Sequence, residues 1–301
     1  MDYQAILREL RPKHDFFIGI DSDGCVFDTM EVKQKEFFIP LALRKFGLIP
    51  VSKTVRETWE FVNLYSSHRG TNRFVALAKV FNLLERRPEF NASGLILPGK
   101  EELGEWLLEE TKLSNENLRK YYNKKPGKGL GVILDWSEEV NREISRWFKG
   151  VAPFPAARSA ISLVNSRADL IVVSQTPLEA LEREWLDNGI KDLVNVIAGQ
   201  EHGTKKEHLA LAAVGKYRND RILMIGDARG DMEAAIDNGV LFYPVIPGRE
   251  NRSWQLFLEE GFDRFLSGKF AGSYQDSLIK EFMDSLPDTP PWEMISRNIS
   301  N

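Results

Sequence analysis

The chain has few of the residues that build disulfide frameworks and soft-metal sites. Among 301 residues there is one cysteine, Cys25, and the four histidines are scattered along the sequence. A single cysteine excludes an intramolecular disulfide and a cysteine-based metal cage, and the histidines show no metal-ligand spacing. We therefore expect a function that depends on neither kind of site.

Long hydrophobic runs and excess positive charge are also absent. The first ten residues are charged throughout without a secretory hydrophobic region, and no stretch approaches the length of a membrane span. The net charge of -4 argues against broad nucleic-acid binding, which usually involves a basic domain. With 43% hydrophobic and 28% charged residues, the composition is typical of a globular enzyme. We therefore expect a cytoplasmic protein with no membrane and no nucleic-acid partner. The oligomeric state cannot be read from the sequence.

Two patterns of sequence indicate the domain organisation. From residue 158 to residue 246, short β-like runs alternate with helical patterns, which is typical of βαβ units and a parallel sheet. Residues 30–150 show helical patterns only. We predict an α/β fold: a Rossmann-like parallel-sheet core from residues 1–29 and 151–301, interrupted by an all-helical insert over residues 30–150. The helices predicted in the insert cover residues 31–46 (with a kink or break at Pro40), 54–65, 72–84, 100–109, 115–122 and 137–148.

The most informative feature is a pair of acids at the end of an apolar run. Residues 16–20 have strand character, and Asp21, Asp23 and Gly24 follow directly. This order places two carboxylates at the carboxyl end of a buried parallel strand, where open α/β sheets bind ligands. One acid could attack phosphorus while the other donates and recovers a proton. The alternative is that both acids simply end a strand and begin a turn.

Three further motifs follow in order and favour the chemical interpretation. Ser174 ends a second apolar run, Lys205 and Lys206 open a helix, and Asp227 and Asp231 follow a third apolar run. The four motifs together resemble those of the haloacid dehalogenase superfamily. The motif-bearing core covers about half of the chain. The resemblance implies that the helical insert is a cap domain, which closes over the active site and selects substrates.

The resemblance also implies roles for the acids and a cofactor. Asp21 matches the nucleophile that forms an aspartyl-phosphate, and Asp23 matches the general acid/base, whose backbone carbonyl also binds the metal. Asp227 matches the acid that completes a Mg²⁺ shell, and Asp231 a more distant or water-mediated ligand. Mg²⁺ suits such a set, because it binds one or two carboxylates and keeps several waters. The alternative for Asp231 is the N-cap of a helix that begins at Met232.

The remaining core motifs are expected to bind the phosphoryl group. Ser174 matches the hydroxyl that hydrogen-bonds it, and the loop residues Gln175 and Thr176 could cradle it with their backbone amides. Of the two lysines, Lys205 is favoured as the one that faces the site. Lys206 is a second candidate for substrate binding. Its alternative interpretation is a solvated surface charge. Both lie in the first turn of a helix that a Thr-x-x-Glu capping box begins, where cations oppose the helix dipole.

The insert contributes two candidate substrate-binding residues. Arg69 and Arg73 lie between two predicted helices, in a loop similar to the substrate-reading loop of phosphoglucomutase-like members of the superfamily. An arginine there could grip a second phosphate or a carboxylate. The alternative is a capped helix start with solvated arginines. Asp28 and Thr29 are assigned a structural role at the entry to the insert.

These observations predict a Mg²⁺-dependent phosphatase that acts on a small phosphorylated metabolite through an aspartyl-phosphate. A phosphomutase would use the same nucleophile but shield the intermediate from water. A dehalogenase is disfavoured, because halide displacement does not need the acid/base at Asp23. A non-catalytic phospho-aspartate receiver or scaffold is a third alternative. The complete acid/base position and the large insert argue against it, since a receiver has no leaving group to protonate.

Overall fold

The computed structural model describes residues 2–293, which form two compact units. The first unit contains residues 2–30 and 150–287, and the second contains residues 31–149 together with residues 288–293. The sequence grouped the segment after residue 287 with the α/β core. In the structure Trp292 packs edge-to-face on Phe61, with ring centroids 5.5 Å apart, and this aromatic contact joins the segment to the helical unit.

A five-stranded parallel sheet forms the centre of the first unit. Its strands are β1 (Phe17–Ile20), β2 (Asp169–Val173), β3 (Val196–Ala198), β4 (Ile222–Gly226) and β5 (Leu241–Pro244). Their order across the sheet is β3-β2-β1-β4-β5, and every neighbouring pair is parallel. The strands are buried almost throughout, as expected for a sheet covered by helices on both faces. The predicted α/β fold with a Rossmann-like parallel sheet is confirmed.

The helices occupy the rest of both units. In chain order they are α1 (Ala5–Arg8), α2 (Thr29–Lys33), α3 (Ile39–Lys45), α4 (Ser52–Leu64), α5 (Arg73–Leu84), α6 (Pro88–Ala92), α7 (Lys100–Glu109), α8 (Asn115–Lys124), α9 (Lys128–Trp147), α10 (Pro155–Val164), α11 (Leu178–Asp187), α12 (Lys205–Ala212), α13 (Arg229–Asp237), α14 (Glu250–Leu256), α15 (Phe262–Leu266) and α16 (Ser273–Ser285). Single π-helical segments join α2 to α3 and α14 to α15. No helix within residues 2–293 is both long and apolar enough to cross a membrane.

A glycine in the central strand brings one helix close to the sheet. A Cβ atom on Gly19 would lie 2.9 Å from a methyl carbon of Leu209, in α12, and 3.0 Å from a methyl carbon of Val173. These separations are shorter than side chains tolerate, so only glycine lets α12 pack directly on β1 and β2. The N-terminus of α12 carries the two motif lysines, and the close packing fixes its position relative to the strand ends.

The helical unit has its own aromatic core. Trp59, Trp136 and Phe46 are buried together, with ring centroids 5.7 Å apart for both the Trp59–Trp136 and the Phe46–Trp136 pairs. The predicted break at Pro40 appears as the π-helical segment Gln34–Phe38 directly before it. Proline lacks the amide hydrogen that a regular helix requires, so the hydrogen-bond register changes there. Helix α9 begins at Lys128, nine residues before the predicted start at Ser137.

Candidate active site

The sheet brings the motif residues together at the carboxyl ends of three adjacent strands. Ile20 in β1 is in register with Val172 in β2 and with Ile225 in β4. The chain leaves these strands into Asp21, Ser174 and Asp227 respectively. The backbone N–H of Asp21 still donates to the carbonyl of Ile225 at 2.9 Å, so the first acid continues the ladder. Parallel pairing therefore gathers the three motifs at one edge.

Three carboxylates form a buried cluster at this edge. Asp21 is 5% exposed, while Asp227 and Asp231 are fully buried. One oxygen atom from each of the three lies within 4.8 Å of the others. The carboxylate of Asp23 is not part of this cluster, so its predicted metal contact would rest on the backbone carbonyl alone.

Lys205 lies between two of these acids. Its Nζ is 2.9 Å from Oδ2 of Asp21 and 2.6 Å from Oδ1 of Asp231. The helix that carries it begins at the capping box predicted from the sequence. The Thr204 N–H donates to the Glu207 carboxylate at 2.7 Å, and the Glu207 N–H donates to the Thr204 hydroxyl at 3.2 Å. The box offsets the unfavourable position of a lysine in the first turn.

Lys206 does not face the site, which corrects its prediction as a substrate-binding residue. Its Nζ pairs with Oδ2 of Asp237 at 3.0 Å, and the side chain is 57% exposed. Successive residues of a helix point about 100° apart, so α12 can direct only one of the two lysines at the carboxylates. Lys206 has the alternative role, a solvated surface charge.

Asp231 caps a helix and also lies in the carboxylate cluster, and its predicted contact with a metal stays a prediction. Helix α13 begins at Arg229 rather than at Met232, so Asp231 is its third residue. Its Oδ2 accepts the Ala228 N–H at 3.1 Å, which caps the helix, while its Oδ1 accepts from Lys205. A Cβ atom on Gly226 would lie 2.3 Å from Cγ of Asp231. Glycine is therefore required at residue 226 to leave room for this carboxylate.

The electrostatics of the cluster follow from burial. Burial raises the pKa of Asp21 to about 7, an effect that Lys205 opposes and Asp231 reinforces. Burial also raises the pKa of Asp231, again against the attraction of Lys205. Burial by itself lowers the pKa of Lys205, but the charges of Asp21 and Asp231 outweigh it and raise the pKa above its usual range. The lysine therefore remains a cation, and the raised pKa values of Asp21 and Asp231 show that its charge does not fully offset the cost of burying these carboxylates as anions.

Asp23 is held by two threonine hydroxyl groups. The Thr29 hydroxyl donates to Oδ1 of Asp23, and the Thr176 hydroxyl donates to Oδ2 at 2.6 Å. Together the two hydrogen bonds fix the orientation of the carboxyl group. The sequence assigned Thr29 to structure and Thr176 to the phosphate loop, and it did not predict either contact. The only signal available was that both residues follow a motif acid or serine within a few positions.

The loop after β2 is organised by its own polar groups. Ser174 is 2% exposed, and its Oγ accepts the Thr176 N–H at 3.2 Å. The Gln175 amide donates to the carbonyl of Gly203 at 2.9 Å, which ties this loop to the segment before α12. This contact joins the loop that carries Ser174 to the segment that leads into Lys205. This contact engages the side-chain amide of Gln175, not the backbone amide for which phosphate binding was predicted.

Arg69 and Arg73 both hydrogen-bond within the helical unit, which corrects the alternative of solvated arginines, while their predicted contact with substrate stays a prediction. Arg69 is 5% exposed and donates to the carbonyl of Leu64 at 3.0 Å. Arg73 donates to Oδ1 of Asn141 at 2.8 Å and to the carbonyl of Ser137 at 3.1 Å. Burial lowers the pKa of Arg73 to about 10. The capped helix start was expected, but both guanidinium groups stabilise the packing of this unit.

The cluster fits a divalent cation with hard ligands. Its donors are carboxylate oxygens from three buried side chains, and the single ammonium group, that of Lys205, contacts two of them. Mg²⁺ prefers such oxygen donors, whereas softer metals prefer the thiolate and imidazole ligands that this site lacks.

The known proteins that this chain resembles are solved structures with a similar fold. No protein-family model matches the chain, and no curated protein matches its sequence. The solved structures similar to it are consistently haloacid dehalogenase-like hydrolases. One is a haloacid dehalogenase-like hydrolase from Xanthomonas campestris (12% identity, 86% of this chain and 97% of that chain, TM-score 0.43). Others are CbbY from Rhodobacter sphaeroides in complex with phosphate (15%, 77% and 86%, 0.39) and a predicted phosphoglycolate phosphatase from Haemophilus somnus (14%, 79% and 92%, 0.41). All these TM-scores are below 0.5, so the functional assignment rests on the site itself.

Proposed function

We propose that this protein is a Mg²⁺-dependent phosphatase of the haloacid dehalogenase superfamily, which hydrolyses a small phosphomonoester. The observation that carries the proposal is the position of Asp21: a buried carboxylate in contact with Lys205, two residues before a separately held acid, Asp23. A nucleophile and a general acid/base on one short turn meet the needs of two successive displacements at phosphorus.

In the first displacement, a carboxylate oxygen of Asp21 attacks phosphorus and the bond to the ester oxygen breaks. Asp23 gives its proton to that oxygen, so the product leaves as an alcohol and Asp21 holds the phosphoryl group. Lys205 lies within 2.9 Å of Asp21 and offers positive charge where the phosphoryl oxygens would lie. The Ser174 hydroxyl adds a hydrogen-bond donor at the same edge of the sheet.

In the second displacement, Asp23 takes a proton from water, and the water oxygen attacks phosphorus. The bond to Asp21 breaks, phosphate leaves, and both acids return to their starting states. Asp23 must therefore exchange a proton in each half of the cycle. The hydroxyl groups of Thr29 and Thr176 hold the Asp23 carboxyl group in one orientation for both transfers.

Asp21, Asp227 and Asp231 would hold the cation, with the carbonyl of Asp23 as a further oxygen ligand. When bound, Mg²⁺ would neutralise charge on the phosphoryl oxygens and lower the cost of bringing an anion to buried carboxylates. The raised pKa values of Asp21 and Asp231 indicate that Lys205 alone does not offset the burial of these carboxylates, which supports a bound divalent ion.

A phosphate-release screen with and without Mg²⁺ tests the proposal. The compounds are sugar phosphates, phosphoglycolate, nucleotides and an aryl phosphate. We expect Mg²⁺-dependent release of phosphate from at least one small monoester. Conversion of a sugar phosphate into its isomer without release would identify a phosphomutase. No turnover of any compound by protein that binds Mg²⁺ would overturn the proposal and favour a receiver or scaffold.

The Asp23→Asn variant tests whether Asp21 and Asp23 have separate roles, as nucleophile and as general acid/base. We expect it to form the aspartyl-phosphate rapidly from an activated aryl ester, whose leaving group needs little protonation, but to turn over slowly. Rapid-quench measurement of phosphorylated protein gives the burst, and phosphate release gives the steady state. Full steady-state activity would remove Asp23 from the mechanism.

A further inference from the structure

Asp23, the candidate acid/base, lies on a short turn whose two ends each accept a hydrogen bond from a buried tryptophan. The Cys25 N–H donates to the carbonyl of Ser22 at 3.3 Å, which closes a turn over residues 22–25. Asp23 is the second residue of this turn, and Gly24, at a φ of 81°, is the third. Because Asp23 lies between the two ends of the turn, the placement of Ser22 and Cys25 sets the backbone position from which its side chain reaches the hydroxyl groups of Thr29 and Thr176.

A buried indole holds the first end of the turn. The Nε1–H of Trp185, in α11, donates to Oγ of Ser22 at 3.0 Å. Both residues are fully buried, and the Trp185 ring packs edge-to-face on Phe27 with centroids 5.8 Å apart. The backbone N–H of Ser22 donates to Oδ1 of Asp21 at 2.8 Å. Trp185 is therefore one residue removed from both candidate catalytic acids.

A second buried indole holds the other end. The Nε1–H of Trp254, in α14, donates to the carbonyl of Cys25 at 2.8 Å. Trp254 is fully buried and lies in the region after the last strand. A buried carbonyl that loses its hydrogen-bond donor keeps the full cost of its desolvation, so the bond matters to the local conformation.

We propose that Trp185 and Trp254 are positioning residues, which anchor the two ends of the Ser22–Cys25 turn and so keep the Asp23 carboxylate in reach of the leaving oxygen. The inference rests on the proposed phosphatase function and deepens it. Packing alone does not require these bonds: Trp106, in the helical unit, is fully buried, and its indole nitrogen has no hydrogen-bond partner within the described residues. The N–H bonds at the turn are thus a separate feature from burial of the rings.

The test compares Trp254→Phe with Trp106→Phe as its matched control. Both changes remove an indole nitrogen from a buried site, but only the first removes a bond to the turn. Single-turnover phosphorylation is measured with two aryl phosphates, one with a good leaving group (dinitrophenyl) and one with a poor one (phenyl). Protonation by Asp23 matters chiefly for the poor leaving group. Since small misplacements of catalytic groups cost up to about a hundredfold, we expect Trp254→Phe to slow phenyl phosphate about tenfold and to leave the dinitrophenyl ester nearly unchanged.

A second measurement covers the case in which Trp254→Phe fails to fold. Trp185→Phe, Ser22→Ala and the double variant form a cycle on the bond at the first end of the turn. We expect each single change to slow phenyl phosphate, and the double variant to be no slower than either single one. Additive losses in the cycle would mean that the Trp185–Ser22 bond has no role in positioning.

The outcomes separate this inference from the function on which it rests. Absence of phosphate release by the unaltered protein would defeat the proposed function. If the unaltered protein is active, equal losses on both esters, or a Trp254→Phe variant as active as Trp106→Phe, would overturn the positioning role alone. A loss confined to the poor leaving group supports it.

Discussion

Buried aspartates lie at both ends of the parallel sheet, and their surroundings differ. At the amino end, Asp169 is the first residue of β2 and is fully buried. Its Oδ2 accepts from the N–H groups of Lys13 and His14, at 2.8 and 2.9 Å, and from the Tyr217 hydroxyl at 2.9 Å. At the carboxyl end, Asp21 faces two other carboxylates and a lysine. A buried acid held by backbone N–H groups and a hydroxyl group supports the fold, whereas buried acids that face each other create a site for a cation.

The largest effect is expected from matched substitutions of the buried aspartates at the two ends of the sheet. Asp21→Asn should reduce turnover about a thousandfold or more, because an amide cannot act as the nucleophile, while the free energy of unfolding stays the same or rises. Asp169→Asn should leave the chemistry intact and lower the free energy of unfolding by about 2 kcal/mol, because it weakens three hydrogen bonds to a charged group. Phosphate release and urea unfolding measure the two quantities. Loss of activity in a stably folded Asp169→Asn variant would contradict the comparison.

The next effect distinguishes the two lysines at the carboxyl end. Lys205→Met should lower kcat/KM about a hundredfold, because positive charge is lost beside the phosphoryl site. The same variant should show a larger rise in melting temperature on addition of Mg²⁺, since the carboxylates then lack any other cation. Lys206→Met, which removes only an exposed ion pair, should stay within about twofold of the parent protein. Equal losses in both variants would mean that net charge, rather than contact with Asp21, is responsible.

A smaller effect concerns the space around Asp231. Gly226→Ala should displace this carboxylate and weaken Mg²⁺ binding about tenfold, because the added methyl group would overlap it. Gly230→Ala is the control, since a Cβ atom there meets nothing within 4 Å and lies in the first turn of α13. That change should keep Mg²⁺ affinity and slightly stabilise the helix. Isothermal titration with Mg²⁺ measures both, and unchanged affinity in Gly226→Ala would remove Asp231 from the site.

The last effect appears only in acid. Burial, together with His202 and Lys205, lowers the pKa of His208 to about 4. The unfolded chain then binds a proton between its ordinary pKa near 6.5 and pH 4, while the folded protein does not. His208 should therefore make the fold less stable by about 2 kcal/mol at pH 5 than at pH 7. His208→Leu should show a correspondingly shallower loss in urea unfolding at the two pH values. Parallel losses in both proteins would contradict this contribution.

Much of the fold could be predicted because its signals are local. The apolar runs before Asp21, Ser174 and Asp227 are β-like, and strands of a parallel sheet end at one edge, so the gathering of these residues followed from the order of the elements. The start of α9 was harder to predict. Its first residues, including Gly129 and Gly131, are weak helix formers, and tertiary packing overrides their propensity.

Contacts between distant parts of the chain could not be predicted. Nothing near Arg73 indicates that Ser137 and Asn141 would receive its guanidinium group, and nothing near Trp254 indicates a bond to Cys25, 229 residues earlier. Such pairs depend on which helix packs against which loop. The hydrophobic pattern fixes that a residue is buried but not what it meets there.

The sequence by itself determined the α/β class, the acids at the strand ends and the capping box that begins α12, because each depends on residues within a few positions of one another. The tertiary structure alone decided that Lys205 rather than Lys206 meets the carboxylates, that Gly226 leaves room for Asp231, and that Thr29 and Thr176 share Asp23. The physical reason is that orientation and clearance within a site are set by packing across the sheet, and packing joins residues that no local pattern connects.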